Sequence, residues 1–231
     1  MRRAFRQPGL GQARVSAAAA TLLETAAIRV GNDEYTQQNG TYGVTTLRSR
    51  HVKVDGPLIE LQFVAKGGQK EAVVVKDRQA ASVIEECKRV PGREVFKWFD
   101  SEWKKHDLKS RHVNDFIRAA SGGDFTAKDL RTWVGTLRAY RYLLDKGPPG
   151  PDTDAESVCL AAVDSVAEFL RDTREVARSA YIHQGVLDAF CDGTLHELRA
   201  QLRSANRSLL SDDERGLVQL LRHLQRRGAT T

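Results

Sequence analysis

Cysteine is scarce in this chain: Cys87, Cys159 and Cys191 are the 3 thiols in 231 residues. They are odd in number, widely spaced and free of any CxxC pair, which argues against a disulfide framework and a zinc site and fits a reducing, cytoplasmic setting. Long apolar runs are missing too. The longest weakly polar stretch, Ala17 to Ile28, is broken by Thr21, Glu24 and Thr25, whereas a spanning helix needs about 20 apolar residues; no membrane partner is expected. Arg2, Arg3 and Arg6 are followed by no apolar segment or cleavage pattern, so the N-terminus does not read as a secretory signal. No phosphate-binding P-loop and no cluster with metal-ligand spacing appears, so neither nucleotide nor metal is expected as a cofactor. Repeats and low-complexity segments are likewise absent. Charge of neither sign dominates: 36 Lys+Arg against 30 Asp+Glu gives +6. That excess tilts the reading toward nucleic acid without deciding it. With 41% hydrophobic and 29% charged residues the chain has the composition of a folded protein, and its length allows one large domain or two unequal lobes.

The periodicities that are present give a mostly helical α+β protein. Residues 1–11, with Pro8, Gly9 and Gly11, read as an arm or linker remnant, and 12–231 as the folded domain. Val15, Ala18, Ala19, Leu22 and Ala26 recur at helical spacing and predict an amphipathic helix running toward Arg29 and stopping at Gly31-Asn32. After a polar loop, Thr45 to Val54, Leu58 to Ala65 and Ala72 to Val75 are β-like runs separated by Asp55-Gly56-Pro57 and Gly67-Gly68. They predict a three-stranded antiparallel meander near the front of the domain. Ile59, Leu61, Phe63 and Ala65 alternate with Glu60 and Gln62, as in a half-buried strand. Helical stripes follow at Ala80 to Cys87, Val113 to Ala120, Leu130 to Leu144, Val158 to Leu170 and Leu217 to Leu224. The third opens with Thr126-Ala127-Lys128-Asp129, an N-cap with an acidic residue three positions on. The expected division is 12–90, helix plus meander, and 91–231, a helical part.

Four ordered segments then carry a resemblance. Arg29-Val30-Gly31-Asn32 with Tyr42-Gly43-Val44-Thr45-Thr46-Leu47-Arg48-Ser49-Arg50-His51-Val52, Lys66-Gly67-Gly68, Phe125-Thr126-Ala127-Lys128-Asp129-Leu130-Arg131-Thr132-Trp133, and Val176-Ala177-Arg178-Ser179-Ala180-Tyr181-Ile182-His183 stand in this order. Over residues 8 to 190 the chain resembles the type IB DNA topoisomerases, especially their bacterial and poxvirus-like branch. That resemblance implies the DNA breaking-rejoining catalytic fold shared with tyrosine recombinases. It also implies an enzyme that relaxes supercoiled double-stranded DNA through a transient 3′-phosphotyrosyl intermediate, without ATP or metal, acting as a monomer on DNA at the nucleoid. Relatives carry a small β-rich N-terminal lobe that closes over the duplex, and Met1 to Gly11 stands where its linker is expected.

The residue chemistry agrees with these roles. An in-line attack on a phosphodiester builds charge on the equatorial oxygens, and Arg29 and Arg131 suit that charge because guanidinium is planar, always ionised and bidentate. Tyr181 is the expected nucleophile, and its phenol, with an ordinary pKa near 10, needs cationic surroundings to react near neutrality. The leaving 5′-hydroxyl needs a general acid, a role assigned to Lys66 and, second, to Lys128. Arg48, Arg50, His51, Lys53, Arg178 and His183 are candidate contacts to the DNA backbone. The family places His or Asn nine residues before the tyrosine, where this chain has Asp172. Arg171-Asp172-Thr173-Arg174-Glu175 replaces a GNTPA-like run, losing its Gly and Pro. Ionised Asp only accepts hydrogen bonds and repels phosphate, so reduced activity follows unless Asp172 pairs with Arg171 or Arg174. Two alternatives stand beside the topoisomerase. A tyrosine recombinase shares the Arg, Lys, Arg and Tyr constellation but normally has HxxR at the second arginine, and a weakened relative binds DNA without cutting it.

Overall fold

The computed structural model describes residues 1–202 and 209–228. The parts of the expected domain at 203–208 and 229–231 lie outside the described residues. The chain divides into two compact units, Met1–Leu130 and Arg131–Thr231.

The first unit is built around α2 (Gln12–Ala26). The helical stripe is where the spacing placed it, but Ala17, Ala20 and Leu23 are buried as well. A helix apolar on every side is an interior helix. It packs against α1 (Arg2–Phe5), α4 (Arg78–Arg89), α5 (Ser110–Ser121) and the sheets. The first residues are therefore not a free arm: Ala4 is buried and Phe5 and Leu10 pack on the core. Nor does α2 reach Arg29, because Ala27 adopts a left-handed conformation at φ 51° and ends the helix. The expected polar loop contains a short helix, α3 (Asp33–Asn39), capped by Asn32 Oδ1 accepting from the Glu34 N–H at 2.8 Å.

The meander forms as β1 (Val52–Asp55), β2 (Leu58–Val64) and β3 (Lys70–Lys76), antiparallel in that order. In β2, Ile59, Leu61 and Phe63 are buried, and Ala65 follows them. The first run is shorter than its composition suggests. Residues Val44–Thr46 and Ser49–His51 are 3-10 turns, and only Val52 onward pairs with β2. A hairpin that helical periodicity does not reveal follows α4: β4 (Lys97–Phe99) and β5 (Lys105–Asp107). Phe96, Leu108, Val113 and Ile117 join the core around α2. Residues 91–130 thus belong to the first unit, not to the part that carries Tyr181.

The boundary falls inside α6 (Ala127–Asp145). The second unit continues through α7 (Ala155–Leu170), α8 (Arg174–Val176), a π-helical turn (Ala177–Tyr181), α9 (Gln184–Cys191), α10 (Thr194–Ala200) and α11 (Asp212–Gly228). Its interior holds Tyr140, Leu143, Val163, Val166, Leu187, Phe190, Leu195 and Leu217. Among the described residues no helix is long and apolar enough to cross a membrane.

Candidate active site

In the first unit, Arg29 lies on the extended segment after α2, and that segment is tied down by its backbone. The Arg29 carbonyl accepts from the Val44 N–H at 2.9 Å, and Val30 O accepts from the Thr45 N–H at 2.8 Å and Thr45 Oγ1 at 2.9 Å. The two strands of chain meet at glycines. A Cβ on Gly43 would stand 2.5 Å from the Gly31 Cα and 2.6 Å from the Arg29 carbonyl oxygen, so only glycine permits the approach. Tyr42 is anchored to the meander by its N–H donating to Val64 O at 2.8 Å. Lys66 sits, as expected, in the turn between β2 and β3, exposed beside Gly67 and Gly68, which take φ 80° and 75°. Arg29, Lys66, Asn32 and Tyr42 line one cleft of about 290 Å3. Tyr42 was not among the expected site residues; its place in the motif beside Gly43 was the available signal.

The basic cluster around the 3-10 turns has mixed fates. His51 is buried and its Nδ1 accepts the Arg48 N–H at 3.1 Å. Burial first, then the charges of Arg50 and Arg48, push its pKa below the usual 6.5. His51 thus holds the turn through its Nδ1. Its ring stands edge-on to Tyr42 at 4.3 Å, and the Arg48 guanidinium lies 5.3 Å from the Tyr42 ring centre. Arg50 and Lys53 are exposed, with Lys53 Nζ 3.7 Å from the Glu60 carboxylate across the β1–β2 register. Lys128 is exposed on the first turn of α6, behind Thr126, whose N–H and Oγ1 donate to Asp129 at 2.8 and 2.7 Å.

In the second unit, α6 carries Arg131 and grips the tyrosine segment. Thr132 Oγ1 donates to Ala180 O and Thr136 Oγ1 to Tyr181 O, each at 3.3 Å, while the His183 N–H donates to Thr136 Oγ1 at 3.1 Å. Gly135 makes this possible, since a Cβ there would meet Tyr181 O at 2.6 Å. The extra residue of the π turn at Ala177–Tyr181 presents Tyr181 on this face. The Arg131 Cζ lies 5.0 Å from the centre of the Tyr181 ring, a cation–π arrangement. Arg131 is 4% exposed. Its Nη2 donates to Leu170 O at 3.0 Å and to Asp172 Oδ2 at 2.9 Å.

Asp172 therefore pairs with the expected catalytic arginine. The reason is local. Arg171 ends α7 in the left-handed conformation at φ 53°, with Arg171 N–H donating to Glu168 O and Asp172 N–H to Ala167 O. This is a Schellman closure, which normally uses glycine at the residue that Arg171 occupies; the Gly missing from the GNTPA-like run is the residue this backbone favours. The reversal aims Asp172 at Arg131. Arg171 turns back to Phe169 O at 3.1 Å, and Arg174 is held by Asp164 at 2.5 and 2.7 Å. Arg178 is exposed and lines a separate cavity between α7 and α9. His183 is exposed at the start of α9.

With this geometry in view, residues 2–209 match the family of the eukaryotic DNA topoisomerase I catalytic core. The chain belongs to that family. Among relatives of this topoisomerase catalytic core, the chain is 28% identical over 171 residues to the DNA topoisomerase 1B of Acanthamoeba polyphaga mimivirus, covering 71% of this chain and 51% of the relative. It is 23% identical over 167 residues to the DNA topoisomerase I of monkeypox virus, covering 71% and 50%, and matches the vaccinia virus DNA topoisomerase 1B equally. The chain spans about half the length of the curated relatives it matches. These relatives are viral, so the bacterial side of the expected branch has no support among them.

Proposed function

We propose that the chain cleaves and reseals one strand of duplex DNA as a type IB topoisomerase, relaxing supercoils without ATP or metal. Tyr181 attacks the phosphodiester and becomes linked to the 3′-phosphate, and the 5′-hydroxyl leaves. Arg131 and Arg29 stabilise the charge that grows on the phosphate oxygens, and Lys66 delivers the proton to the leaving oxygen, with Lys128 as the second candidate. The observation that carries this reading is the clamp on Tyr181: threonine hydroxyls and a glycine of α6 fix its backbone while Arg131, from the same helix, lies against its ring.

The Arg131–Asp172 pair supports a second reading, a DNA-binding relative with weakened cleavage. The carboxylate occupies a guanidinium nitrogen and cancels charge that the phosphate requires. Relaxation of negatively supercoiled plasmid in EDTA without ATP, with denaturant trapping of the covalent adduct, separates the two. Relaxation and an adduct that both vanish in Tyr181→Phe establish the first reading. DNA binding without either product in the wild type establishes the second.

A further inference from the structure

Two of the widely spaced cysteines meet in the fold. Cys159 on α7 and Cys191 at the end of α9 are 32 positions apart in sequence, yet their sulfurs are 3.7 Å apart. That separation is van der Waals contact, against a disulfide bond length of about 2.0 Å. The pair is asymmetric: Cys159 is buried and Cys191 is exposed. Both line a cavity of about 550 Å3, whose other walls include Arg178, Asp154, Glu156 and Asp188. The dithiol thus opens to a solvent-accessible cavity large enough for a small peptide. Between the two cysteines in sequence lie Asp172, Arg178 and Tyr181.

We propose that Cys159 and Cys191 form a redox-modified dithiol site that reacts with a small peptide disulfide of the oxidised-glutathione class and closes a covalent ring around the Tyr181 segment. The exposed Cys191 thiolate attacks one sulfur of the peptide disulfide, whose S–S bond breaks and releases one peptide thiolate. Cys159, as its thiolate, then attacks the Cys191 sulfur, the mixed disulfide breaks, and the second peptide thiolate leaves. Both leaving thiolates take up the protons lost by the cysteines; two protein thiols are oxidised and one small-molecule disulfide is reduced. The order follows from the surroundings. Burial first, then the hydrogen bond and charge of Cys191, push the Cys159 thiol up to about 12, while Arg178 acts in the opposite direction. Cys159 is thus a poor first attacker. Capping Cys191 removes the neighbour's share of that shift, and Cys159 becomes the resolving thiol. Cys87 is a built-in control: it is fully buried, its sulfur donates to Lys97 O at 3.5 Å and burial pushes its thiol up to about 11.

The test treats the full chain with oxidised glutathione and reads mass spectra under non-reducing conditions, alongside Cys159→Ser and Cys191→Ser. The wild type is expected to lose two hydrogens and to give a Cys159–Cys191 cross-linked peptide with Cys87 still free. Cys159→Ser is expected to stop at a stable glutathione adduct on Cys191, and Cys191→Ser to give neither adduct nor closure. Amide exchange across residues 171–183 is expected to slow in the oxidised wild type and to return on reduction. A wild type that retains the adduct without closing, that links Cys87 instead, or whose exchange is unchanged by closure overturns the proposal. None of these readouts depends on strand cleavage, so the thiol site and the topoisomerase reading succeed or fail separately.

Discussion

At the scale of single residues, Asp172 bears on the proposed cleavage and Arg171 on stability. Asp172→Asn keeps an oxygen that accepts from Arg131 Nη2 but returns the full guanidinium charge to the phosphate. A preorganised donor at a transition state is worth about 10²–10³ in rate, so a gain of about tenfold or more in covalent adduct formation is expected, read by denaturant trapping. The same change destabilises the fold. The side chains of Arg131 and Asp172 are 5% and 13% exposed, and removing one partner of a buried pair costs about 3–5 kcal/mol; the retained hydrogen bond offsets part of that. Arg171→Gly works in the other direction. A left-handed non-glycine residue carries about 1–2 kcal/mol of backbone strain, and relieving it is expected to raise the unfolding free energy from urea titration by a comparable amount without changing the adduct rate. The identities of these residues were legible as departures from the family motif, but their consequence was not. The left-handed turn at Arg171 aims Asp172 at Arg131, and Asp164 engages Arg174. A partner 41 positions away is set by chain reversal, which local pattern does not encode.

At the scale of elements, the tyrosine turn and the His51 turn each show a local rule overridden by packing. Glycine in mid-helix normally costs about 1 kcal/mol relative to alanine, so Gly135→Ala on an isolated helix is stabilising. Here the added Cβ meets Tyr181 O at 2.6 Å and the Leu170 side chain at 3.3 Å. The substitution is expected to displace the π turn, destabilise the protein and lower adduct formation at least about tenfold, since small misplacements of reacting groups cost up to about 10². DNA affinity in a filter-binding assay is expected to stay within a factor of about two, because charge–phosphate contacts, which dominate affinity, are untouched. The His51 turn gives a pH dependence. His51 and His112 both have pKa values lowered by burial and by neighbouring cations from the ordinary 6.5, and each Nδ1 accepts a backbone N–H, from Arg48 and Lys109 respectively. The unfolded chain binds protons that the folded one refuses, so stability from these groups is complete above pH 6.5 and is lost as pH falls below it. Thermal midpoints are expected to drop between pH 7.5 and 5.5, and His51→Gln to flatten part of that slope. The regular elements were legible because their signals are periodic: the alternation in β2 and the stripe in α2 needed no tertiary information. The β4–β5 hairpin, the 3-10 turns before β1 and the π turn were not, because their strands and turns span only three to five residues and take their shape from neighbours.

At the scale of the whole molecule, the balance of 36 basic against 30 acidic residues predicts DNA affinity that depends on where the basic groups are free to act. Of the expected backbone contacts, His51 is committed to a turn and Arg48 lies against Tyr42, leaving Arg50, Lys53, Arg178 and His183 on the exposed surface. Each phosphate contact made by a cation releases counterions and adds about 0.9 to the slope of log affinity against log salt. Lys53 shares its charge with Glu60 only through an exposed pair at 3.7 Å, an interaction worth about 0–1 kcal/mol that salt and phosphate readily displace. Arg50→Ala with Lys53→Ala is therefore expected to weaken binding to any duplex sequence alike and to reduce the salt slope by about two, measured by titrations between low and moderate salt. Tyr181→Phe is expected to leave both affinity and slope unchanged while abolishing the adduct. If the double substitution leaves the slope intact, the meander's exposed face is not a backbone contact, and the net positive charge acts through other groups. If Tyr181→Phe alters the slope, the tyrosine segment contributes to phosphate binding as well as to cleavage, and the separation between holding DNA and cutting it fails.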